Sequence, residues 1–429
     1  MINRLNLKKS IMKRKANNKI NNAKAMEKKN ISASITNEIL KEYDNPNTIK
    51  EDSSDDKWFH EGTVLVKKYN NYKGGDKLLA FDLDDTFVSP QDKKKFGKNS
   101  DDWKFWTDKA IIDKKLKEYD EKGYVFAILS NQNGIEAGHT TEEIFTKKID
   151  KIFEQINYPF IVIAAKSKDY YRKPSIGMIE LLESKYNNEV KIDKSQSYYV
   201  GNAAGRKKGA NYPKNDHSDS DYKMALNAGM KFYTPEEFFL GQKQTIPKIE
   251  QDLHKYDKNN YNHIKFDSKQ EMIILVGSPG SGKSTYCENE LVKKGYVRIN
   301  QDTLKTEKKC IQKATEEISK GKSVVIDCTN PKKEKRAVYI KVAKDAKIKV
   351  RCFIMDVDKE LAFHLNNLRE IDTERKHYSE AVNKIPIHTF YKYYEEPEEK
   401  EGFDEVVKIN FVPGPFMNEK EKAIFYMLS

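Results

Sequence analysis

The chain has 429 residues, of which 34% are charged and 38% are hydrophobic, and its formal net charge is +12. This length allows two or three domains. No apolar run approaches the roughly 20 residues that span a bilayer, and the basic N-terminus lacks the apolar stretch of a secretory signal. We therefore expect a soluble, unsecreted protein in the cytoplasm, the nucleus or a viral replication site in a host cell, with no membrane partner.

The excess of positive charge favours a polyanionic partner. An AT-rich genome would also enrich the chain in lysine, so charge alone does not establish nucleic-acid binding. The four cysteines are scattered without the paired spacing of metal ligands, which predicts buried, reduced thiols and a reducing compartment. They are Cys287, Cys310, Cys328 and Cys352.

Residues 1–57 are rich in Lys and Asn, with an acidic patch at 51–56, and predict a disordered basic tail. Apolar runs that alternate with helical spacing then predict a parallel α/β domain over 58–242. Its expected strands are 62–66, 77–82, 124–130, 160–165 and 197–201, and its expected helices lie near 109–122 and 141–156.

A polar, Asn-rich stretch at 243–268 predicts a linker. A second parallel α/β domain is predicted over 269–429. Its expected strands are 271–276, 323–327 and 349–355, with helices after Lys283 and around 309–319 and 332–345.

The first motif with chemical content is Asp82-x-Asp84-x-Thr86, directly after a buried strand. Ligands of open α/β sheets bind at the carboxyl ends of parallel strands. Asp82 could attack phosphorus, Asp84 could serve as general acid and base, and Thr86 could stabilise the turn. Crowded carboxylates of this kind suit Mg²⁺. The same string also fits a simple Asx-turn after a strand.

Later residues favour the catalytic interpretation. Ser130 ends the next buried strand and can donate to a phosphoryl oxygen, and Lys173 can balance the charges of phosphate and carboxylates. Gly201–Arg206 ends a further strand. The order of these motifs resembles that of the haloacid dehalogenase-like phosphatases.

Longer strings resemble one family more closely, the polynucleotide kinase 3′-phosphatases, which remove 3′-phosphates from DNA ends. The strings are Phe81–Thr86, Ser130–Gln132 with Gly134-Ile135, Tyr171–Pro174 with Gly177-Met178, Val200–Arg206 and Thr234–Phe239.

The chain departs from this family at Asn202, where the family usually has an aspartate that binds magnesium. The resemblance therefore implies a metal site of Asp82, Asp84 and Asn202 with reduced affinity. Asp216 and Asp221 match acids of the family and are candidates for the missing charge, with solvated loop residues as the alternative. Asp85 replaces the commoner glycine of the motif, which matters little if its backbone fits the turn.

The second motif, Gly277-x-x-x-x-Gly282-Lys283-Ser284, lies between a predicted strand and a predicted helix, as a P-loop requires. It predicts a site that binds ATP and Mg²⁺. The lysine reaches the β- and γ-phosphates and the serine holds the metal. The expected ATP-binding residues are Gly277, Ser278, Pro279, Gly280, Ser281, Gly282, Lys283, Ser284 and Thr285.

Three further residues complete the predicted kinase site. Asp302 follows a strand and is the candidate general base, although an aspartate there could also cap a helix. Asp327 ends a strand of the Walker-B type and is the candidate metal ligand. Arg369 is the candidate lid arginine over the triphosphate, and its alternative role is a solvated helix face.

Several strings of the second domain resemble the 5′-kinase domain of the same family. They are Gly277–Thr285, Asn300-x-Asp302-Thr303-Leu304, Gly321-Lys322 with Val324–Pro331, Arg336-x-x-Tyr339-Ile340 with Ala343–Ala346, Arg351–Phe353 and Leu368–Glu370. The family often has a second lid arginine where this chain has Asn367. The resemblance covers about residues 58–415. It does not cover the tail, where animal members carry a phosphopeptide-binding domain, so that docking function is expected to be absent.

The resemblance implies a haloacid dehalogenase-like phosphatase domain followed by a P-loop kinase domain. Together they would act on DNA strand-break ends, removing 3′-phosphates and phosphorylating 5′-hydroxyls. An RNA-end repair enzyme is the first alternative. A nucleic-acid-end binding protein with a weakened phosphatase is the second, and a kinase/phosphatase pair for small metabolites is the third. The sequence does not identify protein partners.

Overall fold

The computed structural model describes residues 57–91, 99–209, 212–266, 269–371 and 381–429. The predicted N-terminal tail lies outside the described residues, apart from Lys57. Strands and helices alternate along the described chain, and they build two large sheets that follow one another in sequence.

The first sheet has the strand order β1-β2-β7-β6-β3-β8-β9. Its strands are β1 Phe59–Glu61, β2 Val64–Tyr69, β3 Lys77–Phe81, β6 Tyr124–Asn131, β7 Phe160–Ala165, β8 Tyr198–Val200 and β9 Lys231–Tyr233. The short pair β4 Val88–Ser89 and β5 Lys104–Phe105 forms a separate ribbon. The helices are α1 Lys109–Asp120, α2 Asn133–Glu136, α3 Glu142–Phe153, α4 Gly177–Leu181, α5 Ser220–Ala228 and α6 Pro235–Leu240.

The parallel sheet predicted from the sequence is confirmed from β7 to β9, but the edge formed by β1 and β2 is antiparallel. Glu61 pairs with Val64, so only Gly62 and Thr63 connect the two strands. A two-residue connection can join only antiparallel strands. Gly62, which we expected inside a strand, instead forms the turn, with a φ of 58°.

Apolar layers cover both faces of this sheet, which explains why its central strands are buried throughout. On one face, α3 contributes Phe145 and Ile149, and on the other α4 contributes Met178 and Ile179. Because β6, β3 and β8 are neighbouring parallel strands, their carboxyl ends meet at one edge. The motif residues that follow these strands are therefore brought together.

The second sheet has the order β11-β12-β10-β13-β14, and all its neighbouring strands are parallel, as predicted. Its strands are β10 Glu271–Val276, β11 Val297–Asn300, β12 Val324–Asp327, β13 Lys349–Asp356 and β14 Glu405–Asn410. The helices are α7 Lys283–Tyr286, α8 Gln301–Leu304, α9 Glu307–Ser319, α10 Lys333–Asp345, α11 Lys359–Ile371, α12 Lys384–Tyr393 and α13 Glu419–Tyr426.

The polar stretch between the two sheets contains apolar side chains that pack against the second core. Leu253 is buried, and Tyr256, Tyr261, Ile264 and Phe266 pack against the second core. These side chains are widely spaced among polar neighbours, so this stretch has no helix or strand periodicity in its sequence. Their burial attaches the described part of the stretch to the second sheet.

The sequence predicted buried, reduced thiols and no segment that spans a membrane. Cys287, Cys310 and Cys352 are buried, whereas Cys328 is half-buried, and all four are free thiols. Within the described part of the chain, none of the helices combines the length and apolar character needed to cross a membrane.

Candidate active sites

A buried lysine and two carboxylates form the centre of the first site. Lys173 Nζ lies 2.6 Å from Asp82 Oδ1 and 2.8 Å from Asp221 Oδ1. It also donates to the hydroxyl of Tyr199 at 2.8 Å, and that hydroxyl donates to the carbonyl of Leu129. Lys173 is only 3% exposed. Its charge is therefore fixed beside the carboxylate that the sequence predicts to be the nucleophile.

Burial and the neighbouring charges together set the pKa values of Asp82 and Lys173. The pKa of Asp82 is raised to about 7, chiefly by burial and also by the nearby charges of Asp221 and Asp84, against the attraction of Lys173. The pKa of Lys173 is also raised, because the attraction of Asp221 and Asp82 outweighs the effect of burial. A bound cation would relieve the excess of negative charge around Asp82.

The second carboxylate of the motif, Asp84, is fixed through both of its oxygens. Lys148 Nζ donates to Oδ1 at 2.8 Å, and Gln132 Nε2 donates to Oδ2 at 2.9 Å. The same Gln132 nitrogen donates to Ser130 Oγ at 2.9 Å. Partial desolvation of this half-exposed side chain favours the neutral acid, but Lys148 and Gln132 hold the pKa of Asp84 below its ordinary value.

The backbone of the turn after Asp84 accommodates Asp85, which stands where the resembled family usually has glycine. Asp85 has a φ of 55°, in the left-handed region that favours glycine but accepts aspartate. Thr86 is fully buried, and its hydroxyl accepts a hydrogen bond from the backbone N–H of Asn202 at 3.0 Å. The contact brings Asn202, at the end of β8, next to the turn that carries Asp82 and Asp84.

Neither of the two additional acidic candidates is a solvated loop residue. Asp216 Oδ2 accepts from the backbone N–H groups of Ala204 and Arg206 and from the Arg206 guanidinium. Its Oδ1 accepts from Tyr212 and Arg206. All these contacts occupy Asp216 in holding its own loop, so the structure gives no support for a metal-binding role.

Asp221 is 1% exposed and forms an ion pair with Lys173. Its Oδ2 accepts from the backbone N–H of Ala203 at 3.0 Å. A Cβ atom on Gly201 would lie 2.5 Å from that oxygen, so glycine is required for Asp221 to approach. The candidate metal ligands at this edge are therefore Asp82, Asp84 and Asn202, which offer hard oxygen donors of the type that magnesium prefers.

At the second site, the P-loop lies between β10 and α7, as predicted. Gly280 and Gly282 have φ values of 84° and 81°, which L-residues rarely adopt. Lys283 is 8% exposed and donates to the carbonyls of Gly277 at 2.9 Å and Ser278 at 2.7 Å. Burial lowers the pKa of Lys283 to about 8, although Asp327 attracts its charge.

Asp327 is at the end of β12 and 2% exposed. Its Oδ2 accepts from Ser284 Oγ at 2.9 Å, from Arg298 Nε at 2.8 Å and from Asn300 Nδ2 at 3.2 Å. The predicted metal pair Ser284 and Asp327 is therefore assembled. The direct ion pair with Arg298 means that a metal ion would share this carboxylate with a cation of the protein.

Asp302 does not cap its helix, because Asn300 occupies the capping position. Asn300 is the N-cap of α8, and its Oδ1 accepts from the backbone N–H of Thr303 at 3.1 Å. Asp302 lies within the first turn and is exposed. This removes the capping role that the sequence left open for it.

Arg369, on α11, lines a cavity of about 240 Å³ together with the P-loop residues Gly280–Gly282 and Thr285. The remaining wall is largely apolar and includes Leu368, Phe411 and Phe416. Burial lowers the pKa of the Arg369 guanidinium. Arg369 thus faces a site rather than a fully solvated helix surface.

Sequence patterns assign no role to five residues that contact predicted site groups: Lys148, Gln132, Tyr199, Arg298 and Asn300. Lys148 and Arg298 belong to Lys- and Arg-rich stretches in which no spacing distinguishes them. Tyr199 lies in β8, where a tyrosine is a common strand residue and its contact with Lys173 has no sequence signal. Only the tertiary contacts identify these side chains.

Residues 77–239 match the family model described as polynucleotide kinase 3 phosphatase, and residues 272–385 match one described as an AAA domain. A bifunctional polynucleotide phosphatase/kinase of Schizosaccharomyces pombe is 37% identical, over 86% of this chain and 88% of that protein. A polynucleotide 3′-phosphatase of Saccharomyces cerevisiae is 29% identical, over 39% of this chain and 89% of that protein. A solved D,D-heptose 1,7-bisphosphate phosphatase from B. bronchiseptica superposes with a TM-score of 0.29 and 18% identity, over 40% of this chain and 89% of that one.

Proposed function

The chain belongs to the bifunctional polynucleotide phosphatase/kinase family, and we propose that it hydrolyses 3′-phosphate ends of DNA and phosphorylates 5′-hydroxyl ends with ATP. We assign the phosphatase to residues 58–242, a linker to 243–268, of which residues 253–266 pack against the second sheet, and the kinase to 269–429. The observation that carries the proposal is the presence of two separately assembled phosphate-handling centres in one chain, around Lys173 and around Lys283.

In the phosphatase, Asp82 attacks the 3′-phosphate and forms an aspartyl-phosphate, while the bond from phosphorus to the 3′-oxygen breaks. Asp84 supplies the proton that the leaving oxygen needs, and the phosphate dianion beside it favours its protonated form. Asp84 then accepts a proton from water, which attacks phosphorus and releases phosphate and Asp82. Lys173 and Ser130 neutralise and orient the phosphoryl oxygens.

In the kinase, Lys283 leaves the carbonyls of its own loop and contacts the ATP phosphates, with Arg369 on the other side. Asp302 accepts the proton of the 5′-hydroxyl as its oxygen attacks the γ-phosphorus and ADP departs. We place the adenosine in the apolar part of the cavity beside the P-loop, because nucleobases need apolar walls.

Both centres hold oxygen donors that fit Mg²⁺. Asp82, Asp84 and Asn202 would hold it in the phosphatase, and Ser284 and Asp327 in the kinase. When bound, Mg²⁺ would offset the charge of the transferring phosphoryl group. Among the described residues no three His, Cys, Asp or Glu side chains are grouped to share a metal ion, so water and the amide of Asn202 would complete the first set.

Incubation with ATP, Mg²⁺ and end-labelled duplexes bearing 3′-phosphate and 5′-hydroxyl ends tests this function. We expect both ends to be converted on DNA. Faster conversion of matched RNA ends would support RNA repair instead. Binding of ends without conversion would indicate a binding protein, and turnover of free sugar phosphates would indicate a metabolic enzyme.

The four free thiols support action in a reducing intracellular compartment.

A further inference from the structure

Lys148 occupies an unusual position for a lysine of a surface helix. It lies on α3, whose apolar residues Phe145, Ile149, Ile152 and Phe153 fasten the helix to the first sheet. The side chain of Lys148 is only 15% exposed, whereas that of its neighbour Lys147 is 61% exposed. The helix therefore holds Lys148 in a defined place.

The contacts of Lys148 converge on a single carboxylate. Its Nζ donates to Asp84 Oδ1 at 2.8 Å, while Gln132 donates to the other oxygen at 2.9 Å. Gln132 uses a second N–H of the same amide for Ser130. Two donors from different elements thus fix both the position and the plane of the Asp84 carboxylate, although half of that side chain (52%) is exposed.

We infer that Lys148 is a positioning residue of the 3′-phosphatase, which holds Asp84 in the orientation from which it passes a proton to the leaving 3′-oxygen. The inference rests on the proposed function of Asp84. Proton transfer requires the two heavy atoms to be within hydrogen-bonding distance. A half-exposed aspartate without this anchor would populate other rotamers, and a displacement of about 1 Å can cost about 100-fold in rate.

The leaving group provides a way to test this role apart from folding and binding. In a DNA duplex with an ordinary 3′-phosphate, the bond from phosphorus to oxygen breaks and the oxygen takes a proton from Asp84. If sulfur replaces the bridging 3′-oxygen, the thiolate leaves without a proton. A variant that misplaces Asp84 should therefore slow the first substrate far more than the second.

The experiment measures single-turnover release of the 3′ end from both substrates with the full-length protein. Lys148→Met keeps the length of the side chain and removes its donor. We expect it to slow the oxygen substrate by about 10- to 100-fold, with the substrate concentration at half-maximal rate unchanged, and the sulfur substrate by less than about 3-fold. Lys148→Arg should restore most of the rate with oxygen.

Lys147→Met is the matched control, since it removes an exposed lysine from the same helix, and its rates should equal those of the unmodified protein. An unchanged thermal unfolding transition of the phosphatase domain verifies that Lys148→Met is folded, and retained 5′-phosphorylation verifies the kinase domain. Equal slowing of both substrates, or weaker binding at an unchanged maximal rate, would overturn the inference in favour of a contact with the DNA strand. Asp84→Asn separates the two proposals, because an undiminished rate in that variant would refute the role of Asp84 itself.

Discussion

The two sites contain one buried lysine each, and the pKa values of these lysines move in opposite directions. The pKa of Lys173 is raised, because Asp221 and Asp82 stay beside it in the folded protein. The pKa of Lys283 is lowered to about 8, because it is buried with neutral carbonyls as hydrogen-bond partners and the attraction of Asp327 does not offset that burial. The difference matches the chemistry that we propose. The phosphatase nucleophile is a carboxylate of the protein, whereas the anion of the kinase arrives with ATP.

We expect the two sites to respond differently to the absence of substrate and metal. In the phosphatase, a lysine and two carboxylates already balance one another in part, so substrate and metal adjust an existing network. In the kinase, Lys283 is held on its own loop, and Asp327 is neutralised by Arg298. We expect the kinase site to depend more strongly on its ligand for its charge balance.

The largest expected effect separates the two activities. Asp82→Asn should lower 3′-phosphate removal by about 10⁴-fold or more, because the amide cannot form the covalent intermediate. Phosphorylation of 5′-hydroxyls should stay within about 2-fold, since the variant leaves the kinase residues unchanged. Gel assays on singly modified duplexes would measure both rates. Loss of both activities together would contradict two independent centres.

Lys283→Met should have the reverse effect. Removing the lysine that reaches the ATP phosphates should slow 5′-phosphorylation by about 10²- to 10³-fold, as expected for one preorganised donor to a transferring group. The phosphatase rate of the same preparation serves as the control for folding. If 5′-phosphorylation persisted, another cation such as Arg369 would have to take over the role proposed for Lys283.

Asn202→Asp tests the metal site of the phosphatase. The added charge should lower the Mg²⁺ concentration at half-maximal phosphatase activity by about 10-fold, because carboxylates bind this cation more strongly than amides. A magnesium titration of the variant beside the unmodified protein measures the change. The kinase titration should not shift. An unchanged phosphatase titration would mean that Asn202 does not bind the metal.

The smallest expected effect concerns pH. Because the pKa of Lys283 is about 8 without nucleotide and the phosphates favour its charged form, ATP binding should take up a proton above that pH. Affinity should be greatest below pH 8 and should fall by up to about 10-fold for each further unit of pH. Calorimetry in two buffers with different ionisation enthalpies measures the proton uptake. Lys283→Met should abolish it, and an unmodified protein that takes up no proton near pH 9 would contradict the lowered pKa.

Much of the fold followed from local sequence patterns, and the exceptions have physical causes. The buried parallel strands are continuous apolar runs, so β3, β7 and β10 were predicted almost to the residue. The antiparallel edge was missed because a two-residue turn, rather than strand composition, sets the direction of β1 relative to β2. The packing of 253–266 was missed because its apolar residues have no regular spacing.

Local sequence motifs were sufficient to identify the proposed reacting groups, because Asp82, Asp84 and the P-loop require fixed residue types at fixed spacing after a strand. The side chains that surround these groups are known only from the tertiary structure. It assigned Asp221 to Lys173, Asp216 to Arg206 and Lys148 to Asp84, although these partners lie 48, 10 and 64 positions apart. Such pairs leave no periodicity in the chain, since their meeting depends on strand order and helix packing.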